Sequence, residues 1–178
     1  MAKVGIFFGS DTGKTRKVAK MIHEALASDA VAAPVNINKA SIDDLLAFDA
    51  LILGTPTLGT GQLPGLDAEC QAESWGEFVP ELESADLAGK TVALFGLGDQ
   101  QSYPDDFVSA MGELYDLATA AGAEVVGFWP NSGYEFADSA ALDGDEFVGL
   151  ALDQDNQSDL TAERISKWVA DIKPALGL

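Results

Sequence analysis

A chain of 178 residues with 47% apolar side chains is long enough to bury a substantial core and suits a single domain over residues 1–178. Its formal net charge of −19, from 10 basic and 29 acidic residues, sets it against nucleic acid, whose phosphates such a surface repels. One histidine, His23, and one cysteine, Cys70, exclude a multi-histidine metal site and an internal disulfide, and they argue against a Ser-His-Asp triad or a cysteine nucleophile.

Met1-Ala2-Lys3 runs straight into the apolar segment Val4-Gly5-Ile6-Phe7-Phe8 with no signal peptide ahead of it, so a reducing cytoplasm is the expected compartment. That segment reads as a buried parallel strand. The turn Ser10-Asp11-Thr12-Gly13-Lys14-Thr15 follows, then a helix over Arg16–Leu26 with Val18, Ala19, Ile22 and Leu26 on one face. Val31–Ile37 reads as a second strand, Ser41 caps a short helix through Phe48, and Ala50–Gly54 is a third, fully apolar strand. A glycine-rich loop, Thr55–Gly65, leads into a polar helix predicted over Pro64–Leu82. Thr91–Gly96 is the fourth strand, the loop Leu97–Pro104 follows, and a helix over Asp105–Ala121 ends at Gly122. A fifth strand begins over Glu124–Trp129 but breaks off. Pro130–Glu146 is turn-rich and acidic, and Phe147–Leu152 resumes the apolar run, so residues 130–146 read as an insertion in the last strand. The final helix is predicted over Thr161–Leu176, with Ile165, Trp168, Val169 and Ile172 facing the core. No stretch is apolar over a membrane-spanning length.

Strands alternating with amphipathic helices give a parallel sheet covered on both faces. In such folds ligands bind beyond the carboxyl ends of the strands. The loops after strands one, three and four therefore meet at one end of the sheet. The first of them passes from strand to helix, where unpaired N–H groups and the positive end of the helix dipole favour an anion. Ser10, Thr12 and Thr15 add hydroxyls, and Gly13 lets the backbone come close. This is a phosphate cradle. It is not the loop of a nucleotide triphosphatase, because that motif needs a glycine five residues before Gly13, and the residue there is Phe8. A calcium loop over Asp153–Arg164 fails as well, since its sixth and twelfth positions are Ser158 and Arg164. Strand ends at Gly9, Gly54 and Gly96 offer no acidic cluster for a phospho-accepting receiver domain.

Four segments in this order resemble the long-chain flavodoxins: Gly9–Thr15, Gly54-Thr55-Pro56-Thr57-Leu58-Gly59, Phe95–Gln100 with Tyr103, and Phe147–Ser158. The resemblance covers essentially the whole chain. It implies an α/β three-layer sandwich with a five-stranded parallel sheet in the order 2-1-3-4-5. It also implies bound flavin mononucleotide (FMN) and a low-potential electron carrier that is not itself a substrate-converting enzyme, cycling between semiquinone and hydroquinone.

The same resemblance assigns roles along the loops. Ser10, Asp11, Thr12, Gly13, Lys14 and Thr15 hold the FMN phosphate through neutral donors, with Lys14 turned to solvent. Thr55, Pro56, Thr57, Leu58, Gly59, Thr60 and Gly61 line the ring, Leu58 standing where many relatives carry tryptophan. Leu97, Gly98 and Asp99 bind the pyrimidine edge and Tyr103 stacks on the outer face. Asp106 stands where relatives more often carry asparagine, and Asp153 is expected beside the ribityl chain. The Gly59–Thr60 peptide is expected to flip on reduction and offer its carbonyl to flavin N5–H.

Thr57–Gly61 is most similar to flavodoxins that serve nitrogenase, which points to basic redox partners: a reductase as donor and the nitrogenase reductase component as acceptor. Charge placement agrees, because between Ala40 and Glu163 Lys90 is the one basic residue against 25 acidic ones. A monomer forming transient complexes is expected. The alternative on the same fold, an FMN-dependent NAD(P)H:quinone reductase, needs room for nicotinamide where Tyr103 would stack.

Overall fold

The computed structural model describes residues 3–178; Met1 and Ala2, expected to lead directly into the first strand, lie outside the described residues. In chain order the elements are β1 (Val4–Phe8), α1 (Lys14–Leu26), β2 (Val35–Asn36), α2 (Ile42–Leu46), β3 (Ala50–Pro56), α3 (Trp75–Glu83), β4 (Thr91–Leu97), α4 (Ser109–Ala120), β5 (Glu124–Val126), β6 (Trp129–Pro130), β7 (Leu142–Asp143), β8 (Glu146–Phe147), β9 (Leu150–Leu152) and α5 (Ser158–Ile172). The main sheet runs β2-β1-β3-β4-β5, all parallel, the order expected.

Alternation along the strands sorts the apolar side chains into two cores. Val4, Ile6 and Phe8 of β1, with Ala93, Phe95 and Leu97 of β4, pack against α1 and α5. Phe7, with Val92 and Leu94, faces α3 and α4. Trp168 anchors the first layer and Trp75 the second, each fully buried. No helix among the described residues is long and apolar enough to cross a membrane.

The fifth position of the sheet is shared. β5 pairs with Thr91–Ala93 of β4, and β9 pairs with Phe95–Leu97 of the same strand. The last strand is therefore interrupted, as the sequence implies. The interruption is more ordered than its turn-rich composition predicts: β6, β8 and β7 form a separate antiparallel sheet. Trp129, expected in the fifth strand, and Phe147, expected in its resumption, both belong to this small sheet. Gly127 at φ 82° turns the chain out after β5, a left-handed conformation that a side chain resists.

Other boundaries shift for local reasons. The second strand shrinks from 31–37 to two residues because Pro34 has no N–H to give; Val31 keeps an isolated bridge to Val4. The helix expected over 64–82 is a 3₁₀ turn at Leu66–Ala68 followed by α3 alone. Glu69 at φ 64° ends the turn, and Glu77 Oε1 accepts the Ser74 N–H at 2.8 Å to fix the later start. α4 begins at Ser109 rather than Asp105, since Val108 at φ 49° is left-handed and stops the helix extending toward Pro104. α1 starts at Lys14, two residues early, while α5 starts at Ser158 and ends at Ile172, ahead of Pro174.

Candidate functional site

The carboxyl ends of β1, β3, β4 and β9 open onto one cleft of about 660 Å³, its mouth included. Asp11, Thr12, Lys14 and Thr15 line it from the first loop, Pro56, Thr57 and Leu58 from the second, and Leu97, Gly98, Asp99 and Tyr103 from the third. The convergence expected of the three loops is present. Gln154 and Asp155 after β9 form a fourth wall; they lie in the Phe147–Ser158 segment of the resemblance, from which only Asp153 is expected at the site.

The first loop is shaped by its own hydroxyl. Ser10 Oγ accepts the Gly13 N–H at 3.0 Å, closing a tight turn that feeds α1. Gly13 occupies the N-cap at φ 91°, and no side chain caps the helix there. The first N–H groups of a thirteen-residue helix are thus left for an outside acceptor. Thr15 is buried yet lines the cleft, and Thr12 and Asp11 form its rim. Lys14, expected to point to solvent, is exposed and also pairs its Nζ with the Asp155 carboxylate. The pair bridges the first loop and the loop after β9.

The second loop is a narrow hairpin. Leu58 N donates to Gln62 O at 2.9 Å and Gln62 N to Leu58 O at 2.7 Å, with Gly59 at φ 51° in the turn. A Cβ on Gly59 would lie 3.3 Å from Gln62 Oε1. Thr57 Oγ1 accepts the Ala110 N–H at 3.3 Å, tying the loop to α4. Thr55 is fully buried; neither it nor Gly59, Thr60 and Gly61 lines the cleft. Asp106 lies against Gly61, whose Cβ would sit 3.4 Å from Asp106 Oδ1, and is also outside the cleft.

In the third loop Tyr103 is 52% exposed and forms the open side of the cleft. Its N–H donates to Asp99 O at 2.9 Å. Burial raises the Asp99 pKa, but hydrogen bonds from Ser102 N, Asn156 Nδ2 and Gln101 N outweigh it and hold the carboxyl below its ordinary value. Asp153 does not line the cleft; its carboxylate turns inward to Gln100 and Asn156. Cys70 lies beside Asp11, and burial pushes its thiol above the ordinary range, the wrong direction for a nucleophile.

The sequence model of the flavodoxin family matches residues 6–168 of this chain. The chain belongs to the flavodoxin family. It is 61% identical over 173 residues to a flavodoxin of Klebsiella pneumoniae, covering 97% of this chain and 98% of that one. Flavodoxin 1 of Escherichia coli K12 is 49% identical over 179 residues, covering 100% of this chain and 97% of that one. Among solved structures, the Fusobacterium nucleatum flavodoxin bound to flavin mononucleotide superposes with a TM-score of 0.88 at 32% identity, over 98% of this chain and 99% of that one. Within the flavodoxin family this chain is a long one, and the β6-β8-β7 sheet is the extra piece that interrupts its last strand.

Proposed function

We propose that this protein is a low-potential one-electron carrier that binds FMN in the cleft. The observation that carries the reading is the pairing, in one cleft, of the uncapped N-terminus of α1 with Leu58 and Tyr103 from separate loops. A phosphate suits the first feature and a flat apolar ring the second. When bound, FMN supplies a ring that accepts electrons one at a time. The chain's own residues set the terms. Ser10 through Thr15 hold the phosphate with backbone N–H groups and hydroxyls, while Lys14 stays engaged with Asp155. Leu58 would shield a bound ring from water, and the open side of the cleft at Tyr103 would give electrons their way in.

The first reduction is tuned at the second hairpin. Gly59 already has the positive φ that lets the Gly59–Thr60 carbonyl turn toward the ring at low cost. Gly59→Val adds a β-branched side chain against Gln62 and penalises that conformation by roughly 1–2 kcal/mol. The first reduction potential is expected to fall by at most about 40–90 mV, the limit reached when the turned peptide alone bears the penalty, at 59 mV per 1.4 kcal/mol for one electron. An anaerobic titration with reference dyes reads it, and an unmoved potential removes Gly59 from this role.

The acidic surface would disfavour any further negative charge gained by a bound flavin and so would keep its second potential low. Among the described residues, no cation pairs with Asp67, Glu69 or Glu73 on the segment following the second loop. Neutralising all three to amides is expected to raise the second potential and slow reduction by a basic reductase. The slowing should shrink as salt rises. Rates independent of both charge and salt would place docking elsewhere. The Thr57–Gly61 resemblance supports the nitrogenase reductase component as acceptor, with the protein acting in the cytoplasm as a monomer in transient complexes.

The deciding experiment is the absorbance spectrum of FMN-loaded protein through stepwise anaerobic reduction. Two resolved one-electron steps are expected. A single two-electron step with steady NADH oxidation would mean a quinone reductase, and no uptake of FMN would overturn the ligand itself.

A further inference from the structure

Behind the third loop lies a buried carboxylate that the cleft does not touch. Asp153, directly after β9, is fully buried. Its Oδ1 accepts the N–H groups of Asp155 at 3.1 Å and Asn156 at 2.9 Å. Its Oδ2 accepts Gln100 N at 3.1 Å, Gln100 Nε2 at 2.8 Å and Asn156 Nδ2 at 2.8 Å. All five partners are neutral N–H donors, a set that a carboxylate satisfies and that a carboxylic O–H or a carboxamide NH₂ does not. Among the described residues it makes no ion pair.

The connections reach further through the two amide side chains. Asn156 Nδ2 also donates to Asp99 Oδ1 at 2.8 Å, and that oxygen accepts Gln101 N and Ser102 N as well. Gln100, itself buried, accepts the Glu135 N–H at its Oε1, and Glu135 belongs to the segment between β6 and β7. One connected set of hydrogen bonds therefore joins the third loop, the loop after β9 and the inserted segment. Two of these carry cleft walls: Asp99 and Tyr103 on one side, Gln154 and Asp155 on the other.

We propose that Asp153, acting through Gln100 and Asn156, is a positioning residue for the ring-holding half of the cleft and couples its order to the insertion. This rests on the reading that the cleft takes a flavin, but its structural half is testable without one. Fixing both walls from a single buried acceptor restricts the third loop before any ligand arrives, which lowers the ordering cost of binding. At metal centres, removing the contact that orients a ligating side chain typically costs one to two orders of magnitude in affinity, and a loss of that order is expected here.

The test compares wild type, Asp153→Asn and Gln100→Met, the last retaining the Asp153 bonds to residues 155 and 156. In apo-protein, hydrogen exchange at Glu135 N–H is expected to quicken about tenfold or more in both variants, and at the residue-100 N–H in Asp153→Asn, with exchange in β1 and β3 unchanged. FMN added to wild type should slow exchange at Glu135, and in the variants it should not. Affinities for FMN and riboflavin should fall by the same factor, about tenfold or more, because the hub supports the ring and not the phosphate. Unchanged apo exchange at Glu135 in Gln100→Met overturns the hub outright. A loss confined to FMN overturns the ring assignment and points through Asp155 to Lys14 instead. Failure of wild type to bind FMN would strike the functional reading, while the apo exchange would still decide the hub.

Discussion

Gly54→Ala is expected to destabilise the protein by about 3 kcal/mol, the upper part of the range for overpacking a tight core. Gly54 stands opposite Phe95 in the β3–β4 register, and a Cβ on it would fall 2.0–2.3 Å from three atoms of the Phe95 ring. Phe95 is fully buried among β1, β9, α1 and α5 side chains and has no space into which to swing. The backbone of β3 must give way instead. For a chain of this size the loss corresponds to roughly 6–12 °C in Tm, at 2–4 °C per kcal/mol. Denaturant unfolding measures it, and a change below about 1 kcal/mol would show that the ring relocates. The substitution reaches the cleft too. Gly54 O accepts Gly9 N at 3.0 Å and Trp75 Nε1 at 2.8 Å, so moving it shifts the root of the first loop. A fall in FMN affinity should accompany the fall in stability.

Removing the phosphate from the ligand should have the larger functional effect. Riboflavin is FMN without that group, and it is expected to bind at least a hundredfold more weakly. Hydrogen bonds to a charged acceptor contribute roughly 1.5–3 kcal/mol each, so two of them account for such a gap. The donors we propose are the N–H groups at the uncapped start of α1 and the hydroxyl of Thr15, which is buried yet lines the cleft. Thr15→Val keeps the shape and deletes the hydroxyl, so it should weaken FMN about tenfold while leaving riboflavin unchanged. Fluorescence titration with both ligands separates the outcomes. Equal affinities for FMN and riboflavin in wild type would mean that the first loop does not hold phosphate.

How much of this was legible in the sequence follows from how far apart the interacting residues lie. β1, β3 and β4 are continuous apolar runs, and their buried cores leave little else for them to be. The first loop declared itself because a strand, a hydroxyl-rich turn and a helix succeed one another within a few residues. Gln154, Asp155 and the Lys14 pair did not, since residue 155 meets residue 14 only after β9 has joined β4. The resemblance alone puts Asp153 beside the ribityl chain. Its inward turn depends on Gln100, 53 positions away. The small sheet escaped notice because its strands are two residues each, too short for alternation to register. Tyr134 is a further case. Its hydroxyl donates to Ala151 O at 2.6 Å beneath the Arg164 guanidinium, and burial pushes its pKa up to about 12, all through contacts that no local pattern announces.

The divided fifth position of the sheet also orders events as the chain is made. β5 can close on the first half of β4 across α4 alone, whereas β9 must wait for the 23 residues from Gly127 to Gly149. The later pairing closes a longer loop and so carries the greater entropic cost. It is also the pairing that seats Gln154 and Asp155 in the cleft wall and Asp153 behind it. A nascent chain thus completes the half of its sheet distant from the ligand first. It becomes a scaffold before it becomes a receptor, and a flavin reaching it early meets three walls of a site whose fourth is still being synthesised.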